Sequence, residues 1–188
     1  MSDQERSPYT IRTPTLNDVE PIRRMQAQSW RDTYDSIEHG VTAERLTAKT
    51  EGWFEPEALK KSHEHLGAVF ANPEQFYRVA LVGHKVVGLL HLDTSDDGSA
   101  HLWGLYTAKE THGTGLAQDF MKLALVWIDG RETSLEVAEY NERAKAFYRK
   151  YDFVEQSGIV EMFSGKIPCV KMVRKAPESM KSKEVSDE

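Results

Sequence analysis

The stretch Leu105-Tyr106-Thr107-Ala108-Lys109-Glu110-Thr111-His112-Gly113-Thr114-Gly115-Leu116-Ala117 runs from a strand-forming segment through two glycines into a helix. On the helical side, Leu116, Phe120, Leu123, Ala124 and Trp127 recur at the spacing of one amphipathic face. A strand, a glycine loop and a helix in direct succession make an anion site for a plain physical reason. The first helical turn has N–H groups without intrahelical partners, and the aligned peptide dipoles place partial positive charge there. Glycines let phosphate oxygens approach the backbone closely. A simple tight turn would use the same residues. Two nucleotide loops are excluded: the spacing is not Gly-x-x-x-x-Gly-Lys-Ser/Thr, and no Gly-x-Gly-x-x-Gly follows the first strand of a parallel βαβ unit.

Working outward, Asp96-Asp97-Gly98 turns the chain into a strand at Ala100–Thr107, and Gly83-His84 joins Phe76–Val82 to Lys85–Leu92 as a hairpin. Three antiparallel strands in succession are expected. Near the start, Tyr9–Arg12 reads as a strand, followed by capping side chains at Thr15–Asp18 with Glu20 and Pro21 in a first helical turn. Ile22, Met25, Trp30 and Tyr34 share one face of that helix. Residues Asp35–Asn72 are polar, with Trp53 and Phe54 among them, and read as one or two short helices. After the glycine loop and its helix come a short strand at Ser134-Leu135-Glu136-Val137 and a helix at Asn141–Tyr151. That helix carries Ala144, Phe147, Tyr148 and Tyr151 on its apolar face. Strands near Phe153–Val160 and Ile167–Arg174 complete the pattern. The order implies an α/β fold: a mixed, mostly antiparallel twisted sheet of six to seven strands flanked by helices. Residues 1–8 are expected to be a flexible N-terminus, 9–174 a single domain, and 175–188 a mobile charged tail.

With 39% apolar and 29% charged residues the composition is that of a globular chain, not a disordered or fibrous one. No apolar run approaches the ~20 residues that span a bilayer, and no secretory segment is recognisable, so no membrane partner and a cytoplasmic location are expected. A net charge of -6 argues against a nucleic-acid partner and is compatible with a cationic one. The lone Cys169 lies in an apolar stretch and reads as a buried, inert thiol. No metal site is expected.

The glycine-loop stretch resembles the coenzyme motif of the GCN5-related N-acetyltransferase (GNAT) family, whose core is Gln or Arg, two residues, Gly, any residue, then Gly or Ala. Here it runs His112, Gly113, Thr114, Gly115, Leu116, Ala117. Leu135-Glu136-Val137, Asn141, Ala144 and Phe147-Tyr148-Arg149-Lys150-Tyr151-Asp152-Phe153 are similar to the family's second conserved block, and Ser29–Tyr34 looks like a frequent feature of small bacterial members. The resemblance covers about residues 9–174. It implies an acyl-CoA N-acyltransferase type of sheet and acetyl-CoA as cosubstrate.

It also implies roles. Residues 112–117 would hold the pyrophosphate; Leu105, Tyr106 and Thr107 would offer backbone to the pantetheine and thioester, with Gly104 easing a bulge in the strand. Ala144 and Phe147 would line the coenzyme site, and Asn141 would contact pantetheine while also serving as an N-cap. Tyr148 would protonate the leaving thiolate, although its spacing also suits a core aromatic.

The family often places a glutamate base where His101 stands. His101 alternates with Trp103 and Leu105, so the three are expected to share one face. Glu136 is a second candidate base, and His91 a weaker one. Trp30, Tyr34 and Trp103 are candidates for an acceptor pocket. Three departures stand out: His112 for Gln or Arg, Lys109 where proline is common, and Asp152 for Gly. A histidine can still donate to phosphate, with added pH dependence, and Asp tolerates the left-handed conformation such a turn needs.

The expected activity is direct acetyl transfer from acetyl-CoA to an amine, of a small molecule or polyamine. A protein or peptide acceptor and a non-enzymatic acetyl-CoA sensor are the alternatives. A homodimer is compatible with the resemblance.

Overall fold

Asp18 fixes the start of the first long helix. Its carboxylate accepts hydrogen bonds from the Arg12 guanidinium (2.8 Å to each oxygen) and from the N–H (2.7 Å) and hydroxyl (3.0 Å) of Thr15. This ties strand β1 (Thr10–Arg12) to a 3-10 turn at Leu16–Asp18 that runs into α1 (Val19–Tyr34). The computed structural model describes residues 8–163 and 167–177. Apart from their inner ends, the expected flexible N-terminus and charged tail lie outside the described residues.

Among the described residues the remaining elements are α2 (Ala43–Glu51), α3 (Pro56–Ala71), β2 (Gln75–Val82), β3 (Lys85–Thr94), β4 (Ala100–Thr107), α4 (Leu116–Ile128), β5 (Thr133–Ala138), α5 (Glu142–Arg149), β6 (Val154–Phe163) and β7 (Ile167–Arg174). The stretch Asp35–Asn72 differs from expectation. It holds α2 and a 16-residue α3 joined by a 3-10 turn at Gly52–Phe54. Its helices bury few residues, so their apolar periodicity is faint; Pro56 at the start of α3 was the readable signal.

Seven strands form one sheet in the order β1-β2-β3-β4-β5-β7-β6. Every neighbouring pair is antiparallel except β4 and β5. One face packs under α4 and α5 around Leu90, Leu92, Leu102, Leu116, Phe120 and Tyr148. The opposite face packs under α1 and α3 around Ile22, Leu66, Tyr77 and Leu89. A third cluster beside it gathers Trp30, Val41, Leu46 and the buried Cys169.

Two irregularities in β4 shape the site. First, its pairing with β3 shifts between Leu102↔Leu92 and Gly104↔His91, so Trp103 is an extra residue, a bulge. Second, β4 pairs with β5 only at Ala100↔Thr133 and His101↔Ser134. From Leu102 onward the two strands part, while β4 keeps its ladder with β3 through Thr107.

The bulge corrects the expected face of β4. His101, Trp103 and Leu105 do not share one. With one residue inserted the alternation inverts, and His101 falls with Gly104 and Tyr106 on the α1 face, whereas Leu105 turns to the α4 face. Gly104 has a steric reason as well: a Cβ there would meet the Tyr106 ring at 2.8 Å. Asp152, between α5 and β6, adopts φ 65°, the left-handed conformation expected of it.

Replacing Asp18 with alanine is expected to lower the unfolding free energy by about 2 kcal/mol in urea denaturation at neutral pH. Arg12, foremost, and Thr15 hold the Asp18 carboxyl below its ordinary pKa. That stabilisation is present above the usual aspartate value of about 3.9 and is lost as pH falls through the lower folded value. Wild type and variant should therefore converge in stability at acid pH.

Candidate active site

Where β4 and β5 part, a cavity of about 440 Å³ passes between them. Its walls come from both faces of the sheet: the last turns of α1, the strand edges of β4 and β5, and the starts of α4 and α5. Of the residues singled out in the sequence, Leu105, Tyr106, Thr107, His112, Ala117, Glu136, Asn141, Ala144, Phe147, Tyr148, Tyr34 and Trp103 line this cavity.

The glycine loop forms the mouth. Gly115 stands at the N-cap of α4 with φ 91°, and Gly113 has φ 82°. Both are conformations that residues with a Cβ adopt at a cost. Because Gly115 brings no capping side chain, the first N–H groups of α4 face outward at the mouth. His112, Gly113 and Thr114 are exposed. Leu116 differs from expectation as a side-chain contact: it is 1% exposed and packs into the core with Phe120, leaving only its backbone for a ligand.

Cations gather at the same end. Arg143 donates to His112 Nδ1 at 3.0 Å, so that nitrogen acts as an acceptor, and Lys109 lines the wall nearby. Burial, then Arg143, lowers the His112 pKa from its ordinary value. His112 therefore stands neutral at pH 7 beside a fixed positive charge. Asn141 caps α5 by accepting the Ala144 N–H at 3.0 Å, which leaves its amide nitrogen free to face the cavity.

The inner end is phenolic. Tyr148 is buried, with its ring edge-on to Phe147 and Phe153, and among the described residues its hydroxyl has no hydrogen-bond partner. Burial, then Tyr106, pushes its pKa well above the ordinary tyrosine value. The Tyr34 and Tyr106 hydroxyls lie 3.4 Å apart and are likewise held protonated by burial.

His101 does not reach this cavity wall. The bulge turns it to the α1 face, where Nδ1 shares a hydrogen bond with Ser134 Oγ at 3.0 Å. Its Nε2 lies 3.1 Å from Glu136 Oε2 but off the hydrogen-bond line, and counts as buried without a hydrogen-bond partner. Its effect falls on Glu136, whose carboxyl lies below the usual range chiefly because of His101.

Trp30 is buried against Tyr34 and Trp53, with ring centroids 5.3 Å and 5.1 Å away. It lines a second cavity instead of the first. Ser29, Asp32, Thr33 and Lys109 also line the first cavity; the sequence named them within the resemblance but gave them no role in the site, and Arg143 was not singled out. Ser29 is buried on the apolar face of α1, where a small polar residue draws no notice, and Arg143 reads as an ordinary surface residue of α5.

Among the described residues no group of three or more His, Cys, Asp or Glu could hold a metal ion, and no helix is long and apolar enough to cross a membrane.

Comparison with curated protein sequences gives no match. Solved structures do match. The acetyltransferase of the GNAT family from Streptococcus pneumoniae superposes with a TM-score of 0.67 at 15% identity, covering 90% of this chain and 99% of that one. The PaiA N-acetyltransferase from Thermoplasma acidophilum, in complex with coenzyme A, gives 0.65 at 21% identity, covering 89% and 98%. The spermidine/spermine N-acetyltransferase SpeG from Vibrio cholerae gives 0.61 at 21%, covering 89% and 94%. These likenesses establish the shared fold. The acetyltransferase (GNAT) family model matches residues 28–153, which hold the glycine loop, the parted strands and both helices that flank the cleft. The chain belongs to the acetyltransferase (GNAT) family.

Proposed function

We propose that this chain transfers the acetyl group of acetyl-CoA directly to a primary amine of a small molecule. The observation that carries the reading is the parting of β4 from β5, with a cationic helix start at one end of the gap and a protonated tyrosine at the other. A related structure holding coenzyme A supports the choice of cosubstrate. Two cavities of about 440 and 470 Å³ are of small-ligand size.

The residues would divide the work as follows. The N–H groups at the start of α4, with His112, Lys109 and Arg143, hold the pyrophosphate. Backbone groups of Leu105 and Thr107, beyond the last pairing with β5, meet the pantetheine amides and the thioester carbonyl, where an N–H stabilises the developing oxyanion. Asn141, Ala144 and Phe147 flank the pantetheine arm. The amine nitrogen bonds to the acetyl carbon and the carbon–sulfur bond breaks. Tyr148 gives its proton to the departing sulfur, and Glu136, ionised on the wall, takes the proton that the amine loses. His101 is a positioning residue that holds Glu136. Because both reactants are bound side by side, positioning supplies much of the acceleration.

The deciding experiment is thiol release from acetyl-CoA across a panel of amines. Coenzyme binding without release for any amine, peptide or protein would overturn the transfer reading.

Tyr148→Phe is expected to lower kcat about 100-fold or more while leaving the coenzyme Kd nearly unchanged in calorimetry. Unaltered kcat would remove the acid role. Since burial raises the Tyr148 pKa, deprotonation of this group should not limit the rate below pH 10.

A second expectation concerns His112. A phosphate beside it favours its protonated form, so coenzyme binding should raise a pKa that the free protein holds down. Affinity should then weaken as pH rises through the bound-state value, and more steeply than in His112→Gln. Parallel pH profiles for the two proteins would remove His112 from the pyrophosphate site.

A further inference from the structure

On the α1 face of the sheet a second cavity, of about 470 Å³, lies behind the bulge. Trp103, Gly104 and Tyr106 line both cavities, so this short piece of β4 is their common wall. Trp30, Trp53 and Tyr77 make much of the remaining surface aromatic. This face is open to a ligand whose reactive group must pass the wall to reach the cleft.

Two charged groups face into it. Asp93 accepts the Trp103 indole N–H at 2.7 Å, which sets it beside the common wall. Arg23, from α1, is held by its own neighbours: Nε donates to Ser62 Oγ at 3.1 Å and Nη1 to Gln26 Oε1 at 3.3 Å, with the guanidinium 5.7 Å from the Trp53 ring. Among the described residues no carboxylate pairs with Arg23. The two neutral bonds use two of its five N–H donors, so Nη2 and the second Nη1 hydrogen are left. His91, opposite Gly104 in the ladder, is neutral, its pKa brought down to about 4 by burial above all. It adds no competing charge. A partly buried guanidinium held in place by neutral partners and lacking a counter-ion is costly unless an anion completes it. The planar fork that remains matches a carboxylate.

We propose that the second cavity seats the acceptor, and that this acceptor is a small amine that also carries a carboxylate, which Arg23 binds while the amine passes Asp93 and the bulge into the cleft. This rests on the transfer reading given above and narrows its substrate class. An extended polyamine would place a cation against Arg23, and the aromatic walls favour an apolar segment between the two polar ends.

The test pairs amines that differ only in the carboxylate: 4-(aminomethyl)benzoate against benzylamine, ε-aminocaproate against pentylamine, with spermidine as a cationic probe. In at least one pair the acid-bearing member should show a kcat/KM roughly 10- to 100-fold higher in the wild type. In Arg23→Gln that ratio should fall to within a few-fold of one. Preference for both decarboxylated members or for spermidine, or a ratio that Arg23→Gln leaves intact, overturns the proposal. Should Arg23→Gln fail to fold by thermal unfolding, the wild-type ratios decide alone.

If no amine releases thiol, transfer fails separately, and the cavity is read by quenching of tryptophan fluorescence in the coenzyme-saturated protein. Tighter binding of the acid-bearing member of either pair supports the proposal. Equal binding of the members of both pairs, or no saturable binding, overturns it.

Discussion

Strands β4 and β5 are hydrogen-bonded at only two register positions, and everything chemical in this fold follows from their parting at Leu102. Each strand has a secure partner on its other side: β4 with β3 through Thr107, and β5 with β7 along its whole length. The gap can therefore open without loosening the sheet. It leaves two inner edges whose N–H and C=O groups need partners. Such an edge in the middle of a sheet is a receptor for an extended chain bearing amides of its own. Helices α4 and α5 frame the gap from one face and α1 from the other, so the opening is a passage through the sheet with a distinct environment at each end.

Charge along that passage is graded. At the mouth stand Lys109, Arg143 and a helix start. At the inner end stand Tyr34, Tyr106 and Tyr148, all kept neutral by burial. A ligand anionic at one terminus and uncharged at the other is matched in one orientation only. Reversing it would desolvate the anion among phenols that cannot neutralise it. The gradient therefore supplies orientation as well as affinity, and the cationic mouth gains less from His112 than from Arg143 because burial and Arg143 itself lower the His112 pKa.

Much of this architecture was legible in the residues. Hairpin turns at Gly83-His84 and Asp96–Gly98, the strand at Ala100–Thr107 and the amphipathic α4 all rest on local rules, namely turn chemistry and side-chain periodicity. Asn141 as an N-cap and Asp152 at positive φ were readable for the same reason. What escaped reading depends on distant partners. Helix α3 buries only Ser62, Leu66 and Val69, too few to print a clear stripe in the sequence. Arg23 looks like any exposed helical cation until Trp53, Ser62 and Tyr77 are brought around it from elsewhere in the chain.

The case of His101 shows how one residue can redirect a correct pattern. Alternation along a strand holds only while pairing is regular, and the insertion of Trp103 reverses it for every later position. Without the bulge, His101 would share a face with Leu105, opposite Tyr106. With it, Tyr106 folds back over Gly104, where any Cβ would collide with its ring, and becomes part of the wall between two cavities. His101 is carried to the α1 face beside Ser134 and Glu136. A group in that position can still influence chemistry in the cleft, but only through the carboxylate it touches. The bulge thus does two things with one extra residue: it divides the cavities, and it makes Glu136, not His101, the titratable side chain of the pair that meets the passage.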